Sequence, residues 1–501
     1  MSNGKWLLAQ QNEGAKGCFL LGRLGEKAGL KDFSTYRDTI WFVDAEGSSM
    51  CLPKPPNIIL ASLESIGKEQ LDDIIRSMLQ SDPGALPDIF CSQGILERDS
   101  ASYEYILGRI HLHCDETLRA RKTRQEEGFK AQINILENLK AYTTNRFSDQ
   151  NTGILRNQPV AVVGAGPSLD ASVHLIAKHR ESMHVFAADS ALATLRANKI
   201  EPDATFTVDA EKHAWECVGE GQRPGILFMS SKSPADWLAT EAEDHIFLSG
   251  NNLTEDWLQE QGVCKTKLAV LGNCGITAVN VAYFLGCSPI LLFGMDHASD
   301  STGSGHAKAV NLDVSRGKSH NPSQRTTKVP GNYTDQVPTF LYNEWEKLDR
   351  LIYSAAGSQA VWNVTDRGAK FSNAKLMHPK DFEKQWGGMT ISKTSPVALR
   401  KESEAPLNLM LKIQDLVEGE RALLEEISKL SGGNDEKARC LLSSLFGHKD
   451  LSRLLGSLSM RVIPHLLQWN KVPDEEKKAI YKEGRKTAAM LLKLFGKPQD
   501  H

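Results

Sequence analysis

The feature that most constrains the fold is a series of short apolar runs, separated by helical patterns, between residues 146 and 390. The runs are "VAVVGA", "HVFAAD", "ATFTVD", "ILFMSS", "HIFLSG", "ILLFGMD" and "AVWNVTD". Strands that are almost continuously apolar are typical of parallel sheets, because crossover helices bury both faces of such a sheet. The pattern therefore predicts an α/β fold with a Rossmann-like, doubly wound parallel sheet as its core.

The regions on either side of this core have different patterns. Residues 1–115 combine the strand-like runs "TIWFVDA", "PNIILASL" and "PDIFCS" with the helical "GKEQLDDIIRSMLQ", which predicts a smaller N-terminal α/β domain. Residues 116–145 are rich in Arg, Lys, Glu and Gln and predict a linking helix. Residues 391–501 lose the strand signals and place apolar residues at helical spacing, which predicts a C-terminal helical domain.

Composition argues against several classes of protein. The formal net charge of −3 gives no strong field that would attract nucleic acid or an anionic membrane. No apolar stretch reaches ~18 residues, so we expect no membrane span. The nine cysteines include no C-x-x-C pair, which favours reduced thiols over disulfides or zinc. Because the first residues also lack the pattern of a secretion signal, we expect a cytoplasmic protein.

The segment "PVAVVGAGPSLDASVHLIAKH" has the layout of a phosphate-binding turn between a strand and a helix. It lacks the Lys of a P-loop and the third Gly of a dinucleotide fingerprint. Its corner consists of Gly164, Gly166, Pro167 and Ser168, and free N–H groups at a helix start attract anions. We expect a ligand to approach Gly166 closely, so that Gly166→Val would block nucleotide binding and leave the fold intact. A plain tight connection is the alternative.

Ligands of open parallel sheets bind beyond the carboxyl ends of the strands, and this rule selects further candidates. A second turn, formed by Asn273, Cys274 and Gly275, precedes another helix. The other candidates at strand ends are Asp189, Ser190, Asp209, Gly294 and Asp296. The three acids would hold Mg²⁺, accept hydrogen bonds from ligand hydroxyls, or bind loop N–H groups, and the sequence leaves these alternatives open.

Histidines in the loop after Asp296 are candidates for a general base, because the pKa of histidine lies near neutral. His297 and His306 stand in "HASDSTGSGHAKAV", and His320 in "RGKSHNPSQR" is a further candidate on the same argument. A solvated loop histidine is the alternative for each. The segment "IHLHCD" holds too few ligands for a metal site, so we expect it to have a structural role.

Several motifs that occur in a fixed order resemble those of the motility accessory factor family. They are "VVGAGPSLD", "AADSALATLRANKIEPDATFTVDAE", "LGNCGITAVNVAYFLGCSPILLFGMDHA" with "GSGHA", "VPGNYTDQVPTFLYNEW" and "NVTDRGAKFSNAKLMHP". Members of that family are bacterial proteins implicated in attaching nonulosonic acids, which are sialic-acid-like sugars, to flagellin. Their core is similar to that of the archaeal 6-hydroxymethyl-dihydropterin pyrophosphokinase, called MptE-like. The resemblance covers about half of the chain.

The core also resembles, more distantly, the small Rossmann-like sialyltransferases of bacteria, whose turns hold CMP. The resemblance implies a nucleotide site on Gly164 to Ser168, on Cys274 and Gly275, and on Gly294 to Asp296. Ala165 and Cys274 stand where those enzymes have Asn and Ser. The catalytic histidine of those enzymes follows the last of these strands, and His306 in "GSGHA" takes that place.

The resemblance therefore implies a glycosyltransferase that moves a nonulosonic acid from a CMP-sugar to Ser or Thr of flagellin, as flagellar assembly and motility require. His306 or Asp296 would deprotonate the acceptor, and helix N-termini would stabilise the departing phosphate. The terminal domains, above all the C-terminal helices, would dock flagellin. The resemblance implies no particular cofactor, and Mg²⁺ on the three acids stays open. The alternatives are a pyrophosphokinase that uses ATP and Mg²⁺, and a non-enzymatic flagellin-binding chaperone with an idle nucleotide site.

Overall fold

The structure is a computed structural model of the 501-residue chain. It describes residues 6–12, 14–22, 30–43, 55–62, 66–81, 85–93, 101–299, 305–309, 327–355, 359–386, 398–403, 406, 408–430 and 435–497. The chain forms two compact units, Met1–Glu126 and Glu127–His501. His320 lies outside the described residues.

The N-terminal unit is built on a five-stranded sheet with the strand order β1-β5-β2-β3-β4. Its strands are β1 (Trp6–Gln10), β2 (Gly17–Leu21), β3 (Asp38–Val43), β4 (Ile58–Ser62) and β5 (Asp88–Ser92). All neighbours pair in parallel except β1 and β5. Helix α1 (Lys68–Ser81) packs apolar side chains on one face of the sheet. The sequence predicted β3, β4, β5 and α1, and it missed β1 and β2.

A 44-residue helix, α2 (Ala101–Thr144), contains the boundary between the two units. It begins earlier than the predicted linking helix, because the segment "IHLHCD" is helical as well. There Arg109 donates to both carboxyl oxygens of Asp72 on α1, at 2.9 and 2.6 Å, and His113 Nε2 lies 3.0 Å from the same carboxyl. These buried contacts within the N-terminal unit fit the structural role expected for the segment.

The second unit is organised around a ten-stranded sheet with the order β16-β15-β12-β7-β8-β9-β10-β11-β6-β17. Its strands are β6 (Arg146–Phe147), β7 (Val160–Val163), β8 (His184–Ala188), β9 (Ala204–Thr207), β10 (Ile226–Ser230), β11 (Asp244–Leu248), β12 (Ile290–Phe293), β15 (Val361–Val364), β16 (Lys375–Met377) and β17 (Lys401–Glu402). Only β6 and β17 pair antiparallel. A separate hairpin consists of β13 (Thr327–Pro330) and β14 (Gln336–Thr339). Every predicted core strand is present, and the doubly wound α/β fold is confirmed.

The helices of the second unit fall into two groups. Those within the sheet region are α3 (Leu169–Lys178), α4 (Leu192–Ala197), α5 (Ala214–Cys217), α6 (Leu253–Glu260), α7 (Cys274–Phe284), α8 (Tyr342–Ala355) and α9 (Phe382–Trp386). Those after β17 are α10 (Leu409–Gly419), α11 (Arg421–Ser428), α12 (Asp435–Gly447), α13 (Lys449–Leu454), α14 (Gly456–Leu467) and α15 (Asp474–Phe495). In the part of the chain that the structure describes, no helix combines the length and apolar character needed to cross a membrane.

Apolar side chains cover both faces of the large sheet. Along β7, Val160 and Val162 belong to one buried cluster, whereas Ala161 and Val163 belong to another. Neighbouring side chains on a strand point to opposite faces. Burial on both faces is therefore the physical reason for the continuous apolar runs in the sequence.

The C-terminal helices pack on the sheet region and share its buried core. The side chain of Gln132 on α2 donates to the Leu454 carbonyl at 3.0 Å, and the Thr254 hydroxyl donates to the same carbonyl at 3.0 Å. The Trp257 indole on α6 donates to Asp450 at 2.9 Å. Removing these helices would expose apolar surface of the second unit.

The strand order reverses between β7 and β12. The chain passes from β7 through β8, β9, β10 and β11 on one side, then returns to β12 on the other side of β7 and continues to β15 and β16. Ligands of open α/β sheets bind beyond the carboxyl ends of the strands at such a reversal. The ends of β7, β8, β9 and β12 are thus the edge at which the candidate residues should meet.

Candidate active site

At the reversal of strand order, the Gly-rich turn after β7 packs directly against the turn that follows β12 at Gly294. Gly164 donates its N–H to the Phe293 carbonyl at 2.8 Å, and Gly166 donates to the Gly294 carbonyl at 2.8 Å. A Cβ atom added to Gly164 would lie 2.6 Å from the Gly294 oxygen, and one added to Gly166 would lie 2.7 Å from it. Gly294 itself has a φ of +62°, which favours glycine. Contact between the turns therefore accounts for these glycines.

The packing of this turn argues against the expectation that Gly166→Val would leave the fold intact. A Cβ atom at Gly166 would meet the Asp296 carboxyl as well as the Gly294 oxygen. Both neighbours are held by other bonds, so a larger residue would have to displace backbone. On the side where a side chain would stand, the space at Gly166 is filled by protein.

Asp296, which follows β12, links the end of that strand to the start of α3 by a hydrogen bond. Its Oδ2 accepts the Ser168 N–H at 2.8 Å, and its Oδ1 lies 3.3 Å from the Thr365 hydroxyl, which donates to it. Burial raises the pKa of the Asp296 carboxyl, although these hydrogen bonds oppose the rise. The Ser168 hydroxyl makes no cap to α3, and Pro167 precedes it in the same turn. Asp296 thus takes an N–H group at the helix start that was expected to bind a ligand.

A second group of polar residues lies at the ends of β8 and β9. Asp189 follows β8 directly, is buried, and accepts a hydrogen bond from Lys212 Nζ at 2.7 Å. Lys212 Nζ also donates to the Ser190 hydroxyl. The Cys274 thiol at the start of α7 donates to Asp189 over 3.4 Å. Three predicted residues, Asp189, Ser190 and Cys274, therefore meet around a lysine.

Lys212 is a site residue that the sequence analysis missed. Its side chain retains 14% exposure. Burial acts to lower the pKa of the ammonium group, but the charge of Asp189, the nearby thiols of Cys274 and Cys217 and the hydrogen bond to Asp189 together outweigh burial, and the pKa lies above its ordinary value. Lys212 is therefore a cation at neutral pH. The sequence offered one signal for this lysine, because Lys212 stands three residues after Asp209 at the end of β9. From there, a long basic side chain can reach the ends of the neighbouring strands.

The remaining predicted residues of the strand ends lie around this group. Asp209 is exposed, and its carboxyl accepts the Glu211 N–H at 2.8 Å. Asn273 caps α7, because its side chain accepts the Ile276 N–H at 3.0 Å. Gly275 follows in the first turn of the same helix. The second turn predicted from the sequence is therefore a well-formed helix start.

His306 lies beside the polar group and is attached to the Gly-rich turn. Its neighbour Ala307 donates a backbone N–H to the Ala165 carbonyl at 2.8 Å. The His306 imidazole is half-buried. Burial, and then the positive charge of Lys212, lower its pKa. A histidine with a lowered pKa is neutral at neutral pH, which is the form that accepts a proton.

His297 has a different environment. It is buried, its φ is +46°, and its ring packs edge-on against Phe371 with 5.8 Å between ring centroids. Burial lowers the pKa of His297 to about 4. This side chain is therefore a neutral part of the core and is not exposed to an acceptor.

The candidate Mg²⁺ ligands do not assemble into a metal site. Asp189 is paired with Lys212, Asp296 binds Ser168, and Asp209 is exposed. Over the described ranges, no group of three or more His, Cys, Asp or Glu side chains is arranged to hold a metal ion. The side chains at this edge thus fit a protein-supplied cation better than a protein-bound Mg²⁺.

Comparisons with known proteins agree with the fold. The sequence profile of the family described as 6-hydroxymethylpterin diphosphokinase MptE-like matches residues 133–302. The solved structure of MAf glycosyltransferase from Magnetospirillum magneticum AMB-1 is similar, with a TM-score of 0.51 and 15% identity over 98% of this chain and 80% of that chain. The comparison with curated proteins gives no match.

The family match and the structural likeness have different extents. The matched residues span β6 to β12 and include the polar group around Lys212. At 15% identity, the structural likeness shows the fold, and it extends over nearly the whole chain. Residues 133–302 are thus similar to the MptE-like family, and the fold of the chain is similar to that of a MAf glycosyltransferase. Both findings confirm the resemblance to motility accessory factors that the ordered motifs indicated.

Proposed function

We propose that this protein is a glycosyltransferase that moves a nonulosonic, sialic-acid-like sugar from a CMP-sugar to Ser or Thr hydroxyls of flagellin. One observation carries the proposal: a half-buried His306 with a lowered pKa lies at the carboxyl edge of the sheet, next to the Gly-rich turn. Transfer to a hydroxyl needs a neutral base at such a place. The likeness in fold to a MAf glycosyltransferase supports the choice of reaction.

In the proposed reaction, His306 accepts the proton of the acceptor hydroxyl. The hydroxyl oxygen then forms a bond to the anomeric carbon of the sugar. The bond from that carbon to the phosphate oxygen breaks, and its electron pair leaves with CMP. The start of α7, with Asn273, Cys274 and Gly275, lies at the same edge, and its dipole favours an anion there. Asp296 has a structural role in this scheme, because Ser168 and Thr365 engage its oxygens.

The family match favours a second candidate function. A protein similar to MptE-like diphosphokinases would transfer diphosphate from ATP to a pterin hydroxymethyl group. Such a transfer requires Mg²⁺ to offset the charge of the triphosphate. We place this function second because Asp189 and Asp296, which were expected to hold the ion, are engaged by Lys212 and Ser168.

Calorimetric titration with CMP, CDP, ATP and GTP, in EDTA and with Mg²⁺, separates the candidates. We expect CMP and CDP to bind in EDTA, because one or two phosphates can be held without a metal ion. We also expect a CMP-nonulosonate to increase the mass of flagellin by one sugar. Metal-dependent ATP binding without CMP binding, together with diphosphate transfer to a pterin, would replace the proposal by the second function. Flagellin binding without any nucleotide binding would replace it by the chaperone.

A further inference from the structure

Lys212 has a hydrogen-bonding capacity that the described residues do not fill. An ammonium group has three N–H donors. Two of them engage the Asp189 carboxyl and the Ser190 hydroxyl, and among the described residues none accepts the third. The side chain is recessed but not sealed, with 14% exposure. A cation of this kind, at the edge where ligands of such sheets bind, is suited to an anionic ligand.

The loop that carries Lys212 does not depend on the lysine side chain for its position. The Trp237 indole donates to the Lys212 carbonyl at 2.8 Å. The Ala214 N–H donates to the Asp236 carboxyl at 3.0 Å, and His213 Nδ1 lies 3.3 Å from the same carboxyl. These bonds hold the main chain on both sides of Lys212. The ammonium group is therefore placed in advance, which is what electrostatic stabilisation requires.

We propose that Lys212 binds the phosphate of the nucleotide donor and stabilises the negative charge that this phosphate gains when the sugar leaves. Asp189 is a positioning residue in this scheme, because it fixes one N–H of the ammonium group and leaves another for the ligand. His306 lies close enough for the charge of Lys212 to lower its pKa. The His306 segment is bonded to the turn after β7 through Ala307, and Lys212 is bonded at the end of the neighbouring strand β8, so the cation and the base lie at adjacent strand ends. In the proposed step they act on the two ends of one displacement.

The charges balance in the proposed step. The bond between the sugar carbon and the phosphate oxygen breaks, and the electron pair stays on the phosphate. Lys212 keeps its proton and offsets the new charge by a hydrogen bond and by attraction through the poorly solvated interior. The hydroxyl proton passes to His306 as the new carbon–oxygen bond forms. The donor, the acceptor and these two side chains account for every atom and charge.

The identity of the donor rests on the proposed function, so the experiment tests the lysine and the donor separately. The full chain is compared with Lys212→Met, which removes the charge, and Lys212→Arg, which keeps it. Lys265→Met is the matched control, because Lys265 also has a recessed side chain, with 17% exposure, and pairs with Asp256 at 2.6 Å. The double variant Asp189→Asn with Lys212→Met avoids an unpaired buried carboxyl if the single variant does not fold.

We expect CMP affinity in EDTA to fall by about 10-fold to 100-fold in Lys212→Met, and kcat to fall by about 100-fold or more. Lys212→Arg should retain part of both, and Lys265→Met should match the wild type. The pH dependence of kcat/KM distinguishes a direct role of Lys212 from a structural one.

Losing the positive charge beside His306 should raise the pKa of the imidazole, so the acidic limb of the kcat/KM profile should move to higher pH in Lys212→Met but not in Lys212→Arg. Asp189, Asp209 and Asp170, the nearby carboxyls, are the same in both variants.

Unchanged CMP affinity and kcat in a folded Lys212→Met or double variant would overturn the role of the lysine. If the wild type does not bind CMP, the proposed donor is wrong, and the same variants are titrated with ATP and with inorganic pyrophosphate. Binding that requires Lys212 would then support a phosphate-binding lysine with a different donor. Binding that does not require Lys212, or no binding of any of these phosphates, would overturn the assignment.

Discussion

Two neighbouring parts of one sheet edge, the crevice between β7 and β12 and the ends of β8 and β9, contain very different chemistry. In the crevice, glycines and Asp296 bring the turn after β7 and the turn after β12 into contact and leave no room for a larger side chain at Gly164 or Gly166. At the ends of β8 and β9, Lys212 is paired with Asp189 and keeps a donor that no described residue accepts. The Gly-rich turn is the more recognisable motif, yet the ion pair of Lys212 and Asp189 lies one strand further along.

The comparison shows that a glycine motif can serve packing between loops and still mark the position of a site. The turn that follows β7 contacts β12 through Gly164 and Gly166 and supports the His306 segment through Ala165. The turn therefore positions the His306 segment, and in our proposal it supplies no group that takes part in the reaction. The predictions below test this division of roles, beginning with the largest expected effect.

His306→Ala should lower the rate of sugar transfer by roughly two to four decades, because a general base contributes about that much. CMP affinity should change little, since the imidazole acts on the acceptor. Single-turnover transfer to flagellin and calorimetry measure the two quantities. The exposed His174 on α3 offers a control, and His174→Ala should behave as the wild type. Normal transfer by His306→Ala would move the base to another group.

Gly166→Val should destabilise the protein by about 2–3 kcal/mol, because an added side chain overpacks the contact between the two turns. Gly447→Val is a control, because a Cβ atom there meets no neighbour, and an exposed substitution costs roughly 0.5 kcal/mol or less. Urea denaturation measures both. A stable Gly166→Val that has lost CMP binding would show instead that the ligand lies against the turn, and the comparison would be reversed.

The buried His297, which follows Asp296 beside the crevice between β7 and β12, should make the free energy of unfolding depend on pH. Its pKa is about 4 in the folded protein, against about 6.5 when unfolded. The unfolded chain therefore binds the extra proton first, so stability present above pH 6.5 is lost as pH falls towards 4. The loss attributable to His297 should be about 2 kcal/mol at pH 5. Urea denaturation between pH 7 and 5 should show a flatter dependence in His297→Asn, and an unchanged slope would place the effect elsewhere.

The sequence predicted the large sheet well, for a physical reason. Strands β7 to β12 are buried on both faces, so each is a nearly pure apolar run that needs no partner information to be recognised. Strand β1 was missed because "WLLAQ" is half exposed and short. The helical region after β17 was predicted from its spacing, but its burial against α2 and α6 depends on contacts between residues more than a hundred positions apart.

The candidate site was only partly predictable. Asp189, Ser190 and Cys274 were found because the rule of strand ends applies to each residue alone. The pairing of Asp189 with Lys212 joins two strand ends and has no local signal. The bond from Ser168 to Asp296 spans 128 positions in the chain. The N–H group that was predicted to bind an anion therefore binds Asp296 and links the turn after β7 to the turn after β12. No sequence pattern within either turn indicates this bond.

The backbone bond from Ala307 to Ala165 has a consequence for how this protein can diverge. Because the bond joins one peptide group to another, it places no demand on the identity of either side chain beyond small size. Substitutions by other small residues at both positions would leave His306 in place, because selection would act on the path of the main chain and not on these two side chains. Related proteins would therefore keep the placement of His306 even where the sequence around Ala165 and Ala307 has diverged beyond recognition.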